Sequence, residues 1–93
     1  MALPITICSA QGVGSSPGVA CQGELGFVFT GISGGGTAQL QISSDDGGNW
    51  ANVGAALSAD ALLVAQIPQG AQVRVTVATA GSVTCRVGMW DLN

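Results

Sequence analysis

Apolar and polar residues alternate along much of this chain, which is the period-two pattern of half-buried β-strands. The alternation is cleanest over residues 37–43, where we expect Ala38, Leu40 and Ile42 to face the core and Ser43 to face outward. Further strands are predicted at residues 25–30, 50–53, 62–67, 73–77 and 83–89. Residues 3–8 form a short apolar run that fits either a strand or an extended arm.

Six or seven short strands separated by turns, with no convincing helix, predict an all-β fold. We expect a small antiparallel β-sandwich of jelly-roll or immunoglobulin-like type. Residues 9–26 are mostly small and polar, with several glycines, and this composition predicts a long loop. The chain therefore divides into residues 1–24, an N-terminal arm and glycine-rich loop, and residues 25–93, the β-sandwich domain.

The last two strands, at 73–77 and 83–89, are predicted to form a β-hairpin. A three-residue loop over 79–81 keeps their apolar faces in phase and places Arg74 opposite Arg86. Like charges in that position repel, so we expect a carboxylate to join them, for instance from a neighbouring subunit. A loop one residue later, over 80–82, also keeps the phase and separates the two arginines.

The charged residues are few, and their scarcity excludes several classes of function. They make up 8% of the 93 residues, the formal net charge is −3, and the chain has no His, Lys or Tyr. Two arginines offer too few cations to neutralise nucleic-acid phosphates, and no apolar run approaches the roughly 20 residues of a membrane helix. Without His or Lys the common general bases are missing. We therefore expect a non-enzymatic protein with no catalytic residues, metal site or cofactor, and with neither a nucleic-acid nor a membrane partner.

The chain start and the cysteines bear on the cellular compartment. The first residues show no basic segment followed by a long apolar run, so we expect synthesis in the cytoplasm without a signal peptide. The cysteines are Cys8, Cys21 and Cys85. An odd, widely spaced set favours three buried thiols in a reducing compartment, and a Cys8–Cys21 bridge formed after release from the cell is the alternative.

Residues 43–50 follow the pattern S-x-D-x-G-x-x-W. This segment resembles the Asp-box, a hairpin motif repeated in sialidase propellers, although Asn49 replaces the usual threonine. The resemblance implies a structural hairpin formed by Ser43, Asp45, Gly47 and Trp50. The aspartate would hydrogen-bond the turn backbone, the glycine would allow the bend, and the tryptophan would pack beneath it. A calcium loop is the alternative, but the spacing of an EF-hand and its distal glutamate are absent.

A surface with so few charges suits a protein that is covered by other copies or by a larger assembly. We therefore expect a homo-oligomer. Trp90 lies in phase with Arg74 and Arg86, and tryptophan and arginine are common at the centres of interfaces. These three residues are the predicted interface.

The residues at 35–50, 68–75 and 80–84 resemble small β-sandwich virion proteins of tailed bacteriophages. In these proteins a strand leads into a "DGG.W" hairpin, and a "P.GA.VR" turn leads into the last strands. The resemblance spans roughly residues 25–90. It implies a virion structural protein, made in the host cytoplasm, that decorates or cements the capsid by binding the major capsid protein or another virion protein. The segment before Leu25 lies outside the resemblance and would suit an arm that reaches a neighbouring subunit.

A tail or fibre module that binds a host glycan is the alternative function. Trp50 or Trp90 would supply the stacking aromatic ring. Asp45, Asp46 and Asn49 are polar neighbours of Trp50 in sequence and would hydrogen-bond the sugar.

Overall fold

The computed structural model describes residues 5–32, 35–44, 47–79 and 81–89, and within these ranges every regular element is a β-strand. In chain order the strands are β1 (Ile5–Gln11), β2 (Gly14–Ser15), β3 (Val19–Ala20), β4 (Gly23–Thr30), β5 (Thr37–Ser43), β6 (Ala51–Leu57), β7 (Ala61–Ile67), β8 (Gln72–Ala78) and β9 (Val83–Met89). Sheet I has the order β1-β9-β4-β7, and sheet II has the order β2-β8-β5-β6 with β3 also paired to β8. All pairs are antiparallel, which confirms the predicted all-β sandwich.

The core lies between the two sheets because each strand turns one alternate set of apolar residues inward. The fully buried side chains include Phe27, Phe29, Val83 and Val87 from sheet I, and Leu40, Val73, Val75 and Val77 from sheet II. Burying a side chain of this size stabilises the fold by about 1.5–3 kcal/mol. The predicted inward direction of Ala38 and Leu40 is confirmed.

The strands β8 and β9 do not form the predicted hairpin. Strand β8 pairs with β2, β3 and β5, whereas β9 pairs with β1 and β4 in the other sheet. The intervening residues carry the chain across the sandwich, with Thr79 at φ 73° and Gly81 at φ 152°. A β-carbon on Gly81 would lie 3.2 Å from Val77 Cγ1 and 3.3 Å from Val83 Cγ2, so this crossing is tightly packed. The alternation of apolar residues shows which face of each strand is buried. It does not show whether two successive strands pair in one sheet or pack against each other from opposite sheets.

Residues 9–26 do not form the predicted long loop, because several of them pair with strands. Strand β1 extends to Gln11, β4 begins at Gly23, and the two-residue strands β2 and β3 both pair with β8. Between β2 and β3, Ser16 donates its backbone N–H to the Val75 carbonyl at 2.8 Å. Its hydroxyl accepts the Val75 N–H at 2.9 Å. These pairings raise the strand number from six or seven to nine.

The division of the chain at residue 24 stays a prediction, although strands on both sides of it pair within the same sheets. Strand β1 pairs with β9 through Thr6↔Arg86 and Cys8↔Cys85, with irregularities on either side of Cys8. The apolar run at 3–8 is therefore a strand from Ile5 onward, and residues 1–4 lie outside the described part of the chain.

Strands β5 and β6 form the predicted antiparallel pair, with Ile42 opposite Ala51 and Leu40 opposite Val53. Strand β6 continues past the predicted end to Leu57, which lies opposite Ala38. The extra residues form a β-bulge, where Gly54 has φ 69°. The strand predicted at 62–67 is confirmed as β7.

Candidate functional site

The connection between β5 and β6 brings together three of the four predicted hairpin residues. Ser43 lies opposite Gln72 and in phase with the outward-facing Gln41, yet it is only 1% exposed because the hairpin covers it. Its hydroxyl accepts the Gly47 N–H at 2.9 Å, which gives this polar side chain a buried partner. Gly47 has φ 87°, a left-handed conformation that favours glycine. The fourth residue, Asp45, lies outside the described residues.

Trp50 lies on the outer face of sheet II, where the Arg74 guanidinium is 4.3 Å from the centroid of its indole ring. Both side chains are half-buried. A cation over a tryptophan ring at this distance is attracted by the ring's negative face. Arg74 also donates from Nε to Gln41 Oε1 at 2.8 Å. Among the described residues, Arg74 thus contacts an aromatic ring and an amide, and the predicted carboxylate from a neighbouring subunit stays a prediction.

The loop between β2 and β3 lies against the same tryptophan. A β-carbon added to Gly18 would lie 2.6 Å from Gln72 Oε1 and 3.1 Å from Trp50 Cη2. Gly47 approaches from the hairpin side, where an added β-carbon would lie 3.7 Å from Trp50 Cζ2. The indole therefore joins the β5–β6 hairpin to β8 and to the loop at the opposite edge of the sheet.

Gln41 is the centre of a row of polar side chains that crosses the outer face of sheet II. Its Oε1 accepts from Arg74 and, at 3.0 Å, from the Thr76 hydroxyl. Its Nε2 donates to Asn52 Oδ1 at 3.0 Å. The row continues from Thr76 to the Ser15 hydroxyl at 3.0 Å. Sequence analysis missed Gln41, although its position opposite Arg74 follows once β5 is known to neighbour β8.

A shallow cavity of about 350 Å³ lies beside Trp50. Its lining residues are Ile42, Ser44, Asn49, Trp50, Ala51 and Pro68. An aromatic ring beside a hydroxyl and an amide is a combination that suits a small polar ligand such as a sugar.

The outer face of sheet I carries a patch of exposed apolar side chains. Val28, Leu62 and Val64 point outward and are 48%, 52% and 41% exposed. We call these three residues the apolar face. Val28 lies opposite Leu62 on one side and Arg86 on the other, so one row crosses three strands. In the next row Val64 lies opposite Gly26, and Gly26 lies opposite Gly88. Neither glycine adds a side chain to that part of the sheet.

Strand β7 forms an edge of sheet I next to the apolar face. It runs for seven residues with the sequence ALLVAQI, without a charged residue or a proline. Edge strands are usually protected against pairing by charges, prolines or bulges. The register of β7 with β4 is regular from Gly23↔Ile67 to Phe29↔Ala61, so no bulge interrupts this edge.

The structure does not bring the predicted interface residues together. Arg74 and Arg86 alternate with buried residues of β8 and β9, and these strands belong to different sheets. The two arginines therefore lie on opposite outer faces of the sandwich, and the predicted pairing of the two is wrong. Within the described part of the chain Arg86 is exposed and pairs with no acid, and Trp90 lies outside that part.

The cysteines are all free, and Cys8 faces Cys85 rather than Cys21. Cys8 and Cys85 are buried, and Cys21 is half-buried. Burial raises the pKa of all three thiols, and that of Cys85 reaches about 12 with a further contribution from the nearby Cys8 and Cys21 thiols. A high pKa keeps these thiols protonated near neutral pH.

The acidic residues of the described ranges do not gather into a cluster. Glu24 is exposed on β4 opposite Gln66, and the Asp60 carboxylate accepts the Ile32 N–H at 3.0 Å. Among the described residues no group of three or more His, Cys, Asp or Glu side chains is placed to hold a metal ion. No helix in the same residues is long and apolar enough to cross a membrane.

Comparisons of the chain with protein-family models, with curated proteins and with solved structures give no match.

Proposed function

We propose that this chain is a non-enzymatic virion structural protein that decorates or cements a bacteriophage capsid. Its partner would be the major capsid protein or another virion protein, and its location the virion. The observation that carries the proposal is the apolar face beside an uncharged edge strand. Together they offer a partner both apolar area and unpaired backbone groups, and such contacts do not require charge.

The apolar face also fits the proposed manner of binding. Its three side chains are about half exposed. Covering the exposed part of each side chain contributes on the order of 1 kcal/mol. Three such residues, with main-chain pairing along β7, would stabilise a complex that salt affects little.

Co-sedimentation with empty capsid shells of the virus that encodes the chain tests this proposal. We expect the variant V28T/L62T, which places the strand-forming residue threonine at both positions, to bind at least about tenfold more weakly than the unaltered protein. Val13→Thr is the matched control, because Val13 is 64% exposed but lies outside the apolar face. Wild-type affinity in V28T/L62T, or loss of binding between about 50 and 500 mM salt, would contradict the proposal.

The proposed homo-oligomer is tested separately by light scattering of the reduced protein over a range of concentrations. A discrete oligomer that V28T/L62T converts to a monomer would place the self-interface on the apolar face. A monomer at every concentration would contradict self-association. It would not affect the shell-binding proposal, which the co-sedimentation experiment tests independently.

A host-glycan binding module is the second candidate function, and the cavity beside Trp50 favours it. Ala51→Phe would narrow this cavity while leaving Trp50 in place, and the exposed Ala56 on the same strand offers the control Ala56→Phe. A glycan array should then show a signal that Ala51→Phe abolishes and Ala56→Phe retains. An array without signal for the unaltered protein would contradict this function.

A further inference from the structure

Two of the three cysteines lie directly opposite each other on neighbouring strands of sheet I. Cys8 of β1 pairs with Cys85 of β9, and the two residues are 6% and 0% exposed. Opposite residues of antiparallel strands have Cα atoms about 4.5–5.5 Å apart. Disulfides span Cα separations of about 4.4–6.8 Å, so the backbone of this pair already has a suitable spacing.

The Cys8 thiol lies over the backbone of β9. It donates to the Val83 carbonyl at 3.4 Å. The sulfur of Cys8 therefore lies beside the strand that carries Cys85. Cys21 follows β3 in the other sheet and lines a separate surface depression with Ala20 and Gln22.

We propose that Cys8 and Cys85 form a disulfide when the folded protein leaves a reducing compartment, through exchange with a small-molecule disulfide such as oxidised glutathione. One protein thiolate attacks a sulfur of the oxidant, forms a mixed disulfide and releases one glutathione thiolate. The second protein thiol loses its proton and attacks the protein sulfur of that mixed disulfide, releasing the second glutathione. Two protein thiols are oxidised, and one oxidised glutathione is reduced to two glutathione molecules.

The bond would fasten the most weakly held strand of sheet I. Strand β1 is an edge strand that pairs only with β9, and its register shifts on both sides of Cys8. Cys8 is thus the paired position between two irregular stretches, where a covalent link adds most to the attachment. Because both thiols are buried, the oxidant reaches them only when β1 opens, so the bond forms slowly in the native protein.

Incubation of the reduced full-length protein with oxidised glutathione tests the proposal. We expect the intact mass to fall by about 2 Da and peptide mapping to join Cys8 to Cys85. The melting temperature should rise by about 8 °C or more, because a long loop becomes closed. Reductant should reverse both changes. Cys21→Ala is the matched control and should retain both, whereas Cys8→Ala and Cys85→Ala should lose both.

A second arm starts from unfolded, reduced protein that is refolded in the same glutathione buffer, which removes the barrier of opening β1. The same Cys8–Cys85 link should form from this direction. The proposal is overturned if the pair stays reduced from both directions, if the bridge maps to Cys21, or if the only product is a mixed disulfide of glutathione on Cys21. These readouts on the unaltered protein remain decisive even where a cysteine variant does not fold.

Discussion

The contact between Arg74 and Trp50 predicts a measurable coupling between the two side chains. The guanidinium lies 4.3 Å from the indole centroid, and both residues are half-buried. At such sites the attraction is worth about 1 kcal/mol, between the values for exposed and for desolvated pairs. The hydrogen bond from Arg74 Nε to Gln41 adds about 1 kcal/mol at partial exposure. We therefore expect Arg74→Gln to cost about 2 kcal/mol and to lower the melting temperature by about 8–16 °C.

A double-mutant cycle isolates the ring contact from the rest of this loss. Arg74→Gln, Trp50→Leu and the double variant are unfolded in urea under reducing conditions, and their free energies of unfolding are compared. We expect a coupling energy of about 1 kcal/mol between the two positions. Arg74→Lys should retain much of this coupling, since an ammonium group is also attracted by the ring, but should lose the Nε hydrogen bond to Gln41.

Arg86→Gln is the control for removal of a positive charge, because Arg86 is exposed and has no charged partner in the described part of the chain. We expect this variant to change stability by less than about 0.5 kcal/mol. A coupling below about 0.3 kcal/mol, or an equal loss in Arg86→Gln, would refute the assignment of Arg74 to an internal contact. Arg74 would then be free for an external partner, as the sequence predicted.

Three further predictions concern the backbone and the thiols. Gly31 has φ 86°, and a β-carbon there would overlap a backbone carbonyl. Gly31→Ala should therefore lower the free energy of unfolding in urea by at least about 2 kcal/mol. Gly12 has open space around it, so the control Gly12→Ala should change this free energy little. Ser16→Ala removes the acceptor of a buried backbone N–H and should lower the free energy of unfolding by about 1–3 kcal/mol. Ser15 is exposed, so Ser15→Ala should lower it by less than about 1 kcal/mol. Equal losses in the two variants would contradict this prediction. The Cys85 thiol has a pKa raised from 9.0 to about 12, so its contribution to stability is complete below pH 9 and is lost as the pH rises toward 12. Unfolding of the reduced protein at pH 8 and pH 10.5 should show this decline, and Cys85→Ala should show a shallower one; constant stability over that interval would contradict the pKa shift.

Much of the fold can be predicted from the sequence because alternate residues of a strand lie on the same face, which is either buried or exposed. The alternation around Leu40 and Phe27 fixed which faces are buried, and the turn residues near Gly47 located the hairpin. Both are local properties, readable from neighbouring residues. The same reasoning failed for the last two strands because Val75 and Cys85 would be buried in either arrangement.

The candidate sites were less accessible to sequence reasoning, because they depend on strand order. Arg74 meets Gln41 only because β8 lies beside β5. Likewise Val28 joins Leu62 in the apolar face only because β4 lies beside β7. The short pairings of β2 and β3, and of Ser16 between them, carry no alternation that a pattern could reveal.

The pairing of β1 with β9 has a consequence for synthesis on the ribosome. Cys8 and the Val83 carbonyl that it contacts are 75 positions apart in the chain. At about 5–20 residues per second, the first strand waits roughly 4–15 seconds before its partner has been translated. During that interval Ile7 and Cys8 have no sheet to join, and the growing chain is open to association with other nascent chains or with chaperones. Sheet I is therefore completed only after β9 has been translated, and pairing of strands so far apart in sequence favours slow folding, on the scale of milliseconds to seconds.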